Sequence, residues 1–191
     1  MDVRAWLLDY AAAHKVPVML EGGAKLLAET VRARKPRRIL EIGTAIGLSG
    51  IYMLDNCSAH LYTIEIDETL ADVAENAFNM AGYADRVTLW RGDVREIIRY
   101  AEGSYDFIML DGPKGHYAEL LPYLDNLLES GGVLFADNVL FKGYTYMEHP
   151  MHKHRTIINS LREYLAAVGD ESRFNTKVYE VGDGVAVSVK R

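Results

Sequence analysis

Asp111 and Lys114, together with Asp137 and Asn138, are residues whose types and spacing could do chemistry in concert. Asp111-Gly112-Pro113-Lys114-Gly115 closes one short apolar run, and Asp137-Asn138 closes another. If both runs are parallel strands, these groups stand at the carboxyl ends, where α/β sheets bind ligands. Two carboxylates and an amide oxygen make a hard-oxygen donor set. With open positions left for water or substrate, such a set suits Mg²⁺ (or Mn²⁺) better than a closed calcium cage. Either acid alone reads as a helix cap; together, beside Lys114 and after buried strands where an unpaired charge is costly, they read as a site. A hydroxyl held by such a cation ionises more easily, and Lys114 is placed to accept or direct the proton.

A second cluster lies upstream. Ile39-Leu40-Glu41-Ile42-Gly43-Thr44-Ala45-Ile46-Gly47-Leu48-Ser49 reads as a strand, a glycine turn and a helix start. Glycine lets a ligand approach the backbone, and the helix start offers free N–H groups and a positive dipole end. The dinucleotide fingerprint needs a second glycine where Ala45 stands. Glu41 would also repel a pyrophosphate but welcome a cationic amine. S-adenosylmethionine carries an amine and a sulfonium. About twenty residues past Gly43, Glu65 holds the usual place of an acid that binds ribose hydroxyls. Its neighbour Asp67 better fits a helix cap. Gly92-Asp93-Val94 follows a third apolar run, with Asp93 either flanking an adenine or capping a helix.

These residues need strands and helices to hold them. Apolar runs at 37–42, 61–66, 87–90, 105–110 and 132–136 alternate with helical periods, the pattern of βαβ units in a mostly parallel sheet. Leu70, Val73, Ala74, Ala77 and Phe78 share one helical face behind Asp67. Leu120, Leu121, Leu124, Leu127 and Leu128 share another, which Gly131 and Gly132 are expected to end. A further helix carries Ile157, Leu161, Tyr164, Leu165 and Val168 and stops near Gly169. Residues 177–181 and 185–190 flank Gly182-Asp183-Gly184 as a β-hairpin. Two helices, near 3–13 and 22–34, precede the first strand, with an extended Val16-Pro17-Val18 between them. The expectation is an α/β, Rossmann-like fold. Its mostly parallel seven-stranded sheet ends in an antiparallel hairpin. Residues 1–191 form one domain, with 1–35 a helical cap and 36–191 the core.

Hydrophobic residues at 49% and charged residues at 25% exclude a disordered or fibrous chain. There is no apolar run long enough to span a bilayer and no signal-peptide pattern, so no membrane role is expected. Cys57 is the single cysteine, which points to a reducing cytoplasm. A net charge of −6 gives no general attraction to nucleic acid.

The glycine loop, Ile64-Glu65, Asp111-Gly112-Pro113-Lys114-Gly115 and Val181-Gly182-Asp183-Gly184 together resemble the bacterial relatives of catechol and caffeoyl-coenzyme A O-methyltransferases, over nearly the whole chain. The resemblance implies metal ligation by Asp111, Asp137 and Asn138, with Asp111 and Lys114 catalytic and Lys114 the base. It implies S-adenosyl-L-methionine held by Met19, Glu41, Gly43, Ser49, Glu65, Ile66, Asp93, Val94 and Asp111, and a homodimer. The stretch from Ala136 to Gly143 is similar to bacterial tRNA 5-hydroxyuridine methyltransferases, which make 5-methoxyuridine at the wobble position. Lys142, His149, His152, Lys153, His154 and Arg155 could meet phosphates, and Tyr144 and Tyr146 could stack on anticodon-loop bases. The bland alternative is a solvated loop and helix start. A small catechol-like substrate remains a second enzyme reading, because it too offers vicinal oxygens. A non-catalytic cofactor-binding regulator is disfavoured by the intact Asp111, Lys114, Asp137 and Asn138. His149, His152 and His154 lack zinc spacing, and no cysteine assists.

Overall fold

The structure is a computed structural model that describes residues 2–148 and 152–191. By contact density the chain divides into two units, Met1–Tyr100 and Ala101–Arg191.

The first unit begins with helices α1 (Val3–His14) and α2 (Glu21–Arg34). Asp2 caps α1 by accepting from the Arg4 N–H at 3.0 Å. Then follow β1 (Arg38–Ile42), α3 (Leu48–Leu54), β2 (His60–Glu65), α4 (Glu68–Met80), β3 (Val87–Arg91) and the short α5 (Val94–Ile97). The strands pair in parallel in the order β3-β2-β1. Asp67 caps α4 as expected, accepting from the Thr69 and Leu70 N–H groups at 2.9 and 3.0 Å. Behind that cap Ala71, Ala74, Ala77 and Phe78 are buried.

The second unit holds β4 (Tyr105–Leu110), α6 (Tyr117–Leu127), β5 (Leu128–Ala136), α7 (Arg155–Val168), β6 (Phe174–Tyr179) and β7 (Val185–Lys190). Its strand order is β4-β5-β7-β6. The β4–β5 pair is parallel, and β7 is antiparallel to both β5 and β6. Phe107 to Leu110 and Val133 to Ala136 are fully buried, the near-continuous apolar run of strands covered on both faces. Each such large side chain contributes about 1.5–3 kcal/mol. The seven strands, mostly parallel and finished by an antiparallel hairpin, are those expected. Among the described residues no helix is long and apolar enough to cross a membrane.

Two boundaries differ from expectation. Gly131 and Gly132 do not end α6. The helix stops at Leu127, and Leu128 already begins β5 with extended backbone. Leu128 continues the leucine spacing because it too is buried, but in the strand. The glycines sit where β4–β5 pairing jumps from Tyr105↔Leu128 to Phe107↔Val133, and Gly131 has φ 80°. The hairpin's first strand also lies earlier than 177–181, leaving Glu180 and Val181 to the turn.

Candidate active site

In the first unit, β1 and β2 carry two acids to one end. Glu41, next to last in β1, is fully buried. It accepts hydrogen bonds from the Ser49 hydroxyl at 2.5 Å and the Thr63 hydroxyl at 2.7 Å. Thr63 in turn lies 2.5 Å from the Thr44 hydroxyl. A charge this deep stays ionised cheaply only when donors surround it. Glu65, the last residue of β2, accepts from three backbone N–H groups: Ala45 at 2.7 Å, Ile66 at 3.0 Å and Asp67 at 2.9 Å. The turn itself is left-handed at Gly43 (φ 94°), Ala45 (φ 46°) and Gly47 (φ 85°). Ala45 therefore adopts a conformation that costs a non-glycine residue about 1 kcal/mol or more, and the Glu65 bond holds it there. Gly47 has a second constraint: a Cβ there would come within 3.2 Å of Ala74 and Phe78. Asp93 is the cap of α5, accepting from the Arg95 N–H at 2.9 Å and pairing with its guanidinium. It follows Gly92, whose N–H donates to the Glu65 carbonyl at 2.8 Å. That ties the ends of β2 and β3 together. Ile66 is 66% exposed and Val94 buried. Met19 lies in the segment between α1 and α2, half-buried.

In the second unit, Leu110 pairs with Ala136, so Asp111 and Asp137 leave two adjacent parallel strands at one level. Burial, and after it the charge of Asp137, push the Asp111 carboxyl up to about 7. Lys114 pulls the other way, with its Nζ 3.7 Å from Asp111 Oδ1. Asp137 is 3% exposed, and burial raises its carboxyl as well. The Asn138 N–H, donating at 2.7 Å, and Lys114 oppose that rise, while the Asp183 charge adds to it. A half-buried and a buried carboxylate with one lysine nearby are short of positive charge. Lys114 and Asp137 thus both act on the Asp111 carboxyl, and the Asn138 backbone N–H meets Asp137. Among the described residues no three His, Cys, Asp or Glu side chains gather as a metal site.

Two features here were not foreseen. Tyr117 opens α6, fully buried, with its hydroxyl 3.1 Å from the Leu110 carbonyl and 3.1 Å from that of Asp137. Burial and the charges of Asp111 and Asp137 keep this phenol protonated, hence a donor. Its signal in the sequence was a tyrosine on the buried face shared with Leu120, Leu121 and Leu124, where a hydroxyl must find a partner. The other feature is the loop after β5. Asn138, Phe141 and Lys142 all have positive φ (59°, 44° and 58°). The hairpin turn holds this loop: Val139 donates to the Gly184 carbonyl at 3.0 Å, and Leu140 to that of Asp183 at 2.9 Å. A Cβ on Gly184 would stand 2.2 Å from Leu140 Cγ, so only glycine fits.

Downstream, Tyr144 sits in a cluster of aromatic rings. Its ring lies 5.7 Å from the His154 ring, near parallel, and 5.8 Å from that of Phe141. Tyr146 is 66% exposed. Lys142, His152, Lys153 and Arg155 are exposed, and His149 lies outside the described residues.

The sequence profile of the O-methyltransferase family matches residues 9–191. The chain belongs to that family. It is 34% identical over 128 residues to the catechol O-methyltransferase of Sus scrofa, covering 62% of this chain and 69% of that protein. It is 32% identical over 119 residues to the O-methyltransferase hkm8 of Aspergillus hancockii, covering 60% of this chain and 47% of that relative. The crystal structure of the O-methyltransferase from Bacillus cereus, in complex with SAH, superposes with a TM-score of 0.88 at 23% identity. That match covers 100% of this chain and 91% of the other, and it shows the O-methyltransferase fold.

Proposed function

We propose that this O-methyltransferase uses S-adenosylmethionine and a divalent cation to methylate 5-hydroxyuridine at the wobble position of tRNA. The observation that carries the chemistry is the pair of carboxylates at one level of β4 and β5, Asp137 buried and Asp111 half-buried, with Asp111 held up to about 7. A cation of Mg²⁺ type relieves that repulsion, and Asp111, Asp137 and Asn138 are its ligands. The first unit holds the cofactor. Glu41 and Ser49 serve its amino-acid end, Gly43 allows its close approach, and Glu65 serves the ribose. Ile66, Asp93 and Val94 flank the adenine, with Met19 a further contact.

When bound, the cofactor supplies a sulfonium methyl and the cation lowers the pKa of the substrate hydroxyl. The residues of the chain do the rest. Lys114 accepts the hydroxyl proton at Nζ when its amine is in the neutral form, Asp111 holds Lys114 in place, and the fixed carboxylates align the reacting oxygen. We place this work in the cytoplasm, in one domain spanning 1–191 that assembles as a homodimer.

The RNA reading is supported by charge placement. Arg155 is the first residue of α7, Lys153 lies just before it, and the first turn contains no acid. Cations at a helix N-terminus oppose the dipole, each at a cost of about 0.3–1 kcal/mol, so a polyanion would relieve them. The relative among catechol O-methyltransferases favours a second reading, a small catechol-like substrate with the same vicinal oxygens.

The test assays 5-hydroxyuridine tRNA and a catechol panel side by side across salt. Phosphate contacts release counterions, so tRNA turnover should fall steeply with salt. Replacing Lys142, Lys153 and Arg155 together by alanine should cut tRNA methylation roughly tenfold or more and spare catechols. Brisk catechol turnover with tRNA untouched at low salt would sink the RNA substrate.

A further inference from the structure

Leu110 and Asp137 are joined by more than the strand ladder. The Asp137 N–H donates to the Leu110 carbonyl at 3.0 Å, closing the β4–β5 ladder. Immediately afterwards Asn138 turns left-handed, with φ 59°, so the Asp137 carbonyl leaves the sheet. A buried carbonyl there needs a donor from elsewhere. The Tyr117 hydroxyl reaches it at 3.1 Å and reaches the Leu110 carbonyl at the same distance. The two carbonyls flank the two acids: that of Leu110 belongs to the peptide entering Asp111, that of Asp137 to the peptide leaving Asp137.

We propose that Tyr117 is a positioning residue for the cation site, its hydroxyl bracing the peptides that aim Asp111 and Asp137. The proposal rests on the metal reading above. Tyr117 touches neither carboxylate. It acts through the backbone, in the manner of partners that orient ligands from outside a coordination sphere. A matched control is built into the fold. Tyr164, on α7, is equally buried and packs edge-on against Tyr117 at 5.6 Å. Its hydroxyl has no hydrogen-bond partner among the described residues. Deleting that oxygen disturbs the same aromatic pair without touching the brace.

The experiment titrates Mn²⁺ into the wild type, Tyr117→Phe and Tyr164→Phe, and measures SAH affinity and thermal melting on the same samples. Tyr117→Phe should weaken Mn²⁺ binding by about 10-fold to 100-fold and leave SAH affinity unchanged. Its activity should recover as Mn²⁺ is raised. Tyr164→Phe should match the wild type in both affinities. Wild-type Mn²⁺ affinity in Tyr117→Phe would overturn the positioning role alone. Equal losses in the two variants would reduce Tyr117 to packing and overturn it too. Absence of Mn²⁺ binding by the wild type would overturn the metal reading itself and the brace with it. Should Tyr117→Phe melt too low to titrate, the shift in melting temperature on adding Mn²⁺ is compared among the three proteins. An undiminished shift in Tyr117→Phe overturns the proposal, and a reduced shift supports it.

Discussion

The acids of the first unit and those of the second meet burial in opposite ways. Glu41 is sheathed by the Ser49 and Thr63 hydroxyls, and Glu65 by three backbone N–H groups. Each has its donors from within the protein and keeps its geometry with nothing bound. Burial and then the charge of Asp137 raise Asp111, and burial and the charge of Asp183 raise Asp137, with Lys114 as partial relief for both. Satisfied carboxylates make a template, and unsatisfied ones make a demand that a cation can meet. The same side-chain chemistry is thus preorganised in one unit and electrostatically unmet in the other.

The sharpest way to break this contrast is Asp137→Ala. It should lower activity at least 1000-fold, roughly 4 kcal/mol of lost transition-state stabilisation, with the fold intact by circular dichroism. A chelator should do the same to the wild type, and added Mg²⁺ or Mn²⁺ should restore it. Full turnover in excess EDTA would remove the cation from the mechanism.

A second test uses pH on the metal-free protein. The folded pKa of Asp111 is about 7 against an ordinary 3.8, so its contribution favours the fold at low pH. That contribution is lost as pH rises through about 7. Denaturant melts should therefore show stability falling from about pH 4 to about pH 7, by roughly 2–4 kcal/mol, then levelling. Asp111→Asn should flatten the profile, and Mg²⁺ should oppose the fall in the wild type. A profile unaltered by Asp111→Asn would deny the frustration on which the contrast stands.

The smallest effect is expected in the first unit. Glu65→Ala should weaken cofactor binding by about 1–3 kcal/mol, the scale of a charged hydrogen bond. Calorimetry showing unchanged affinity would leave Glu65 a brace for Ala45 and nothing more.

Strand positions were legible because buried parallel strands write themselves as apolar runs. The run 105–110 coincides with β4. Both clusters of site residues were legible for a related reason: chemistry in such folds collects just past those runs. The first half of β5 was hidden by glycines that punctuate a bulge as readily as they end a helix. Tyr117 was hidden because its partners are backbone carbonyls, and a carbonyl carries no residue identity. Asp93 was left between ligand and cap; the structure makes it a cap, and the adenine contact is for binding studies to decide. The left-handed run at Asn138, Phe141 and Lys142 could not be read at all, since none of these is a glycine.

The turn at Asp183 and Gly184 has a consequence for how the enzyme is made. A ribosome delivers the chain from its N-terminus, and early segments fold first. The glycine loop and its acids can take their final form while the rest is still being translated. The Asn138 loop cannot, because the carbonyls that receive Val139 and Leu140 arrive only with the hairpin turn. A nascent chain stalled before Asp183 would carry Asp111 and Asp137 and still lack the carbonyls that hold the loop beginning at Asn138. The loop after β5 is thus among the last parts of this protein to take its final form during synthesis.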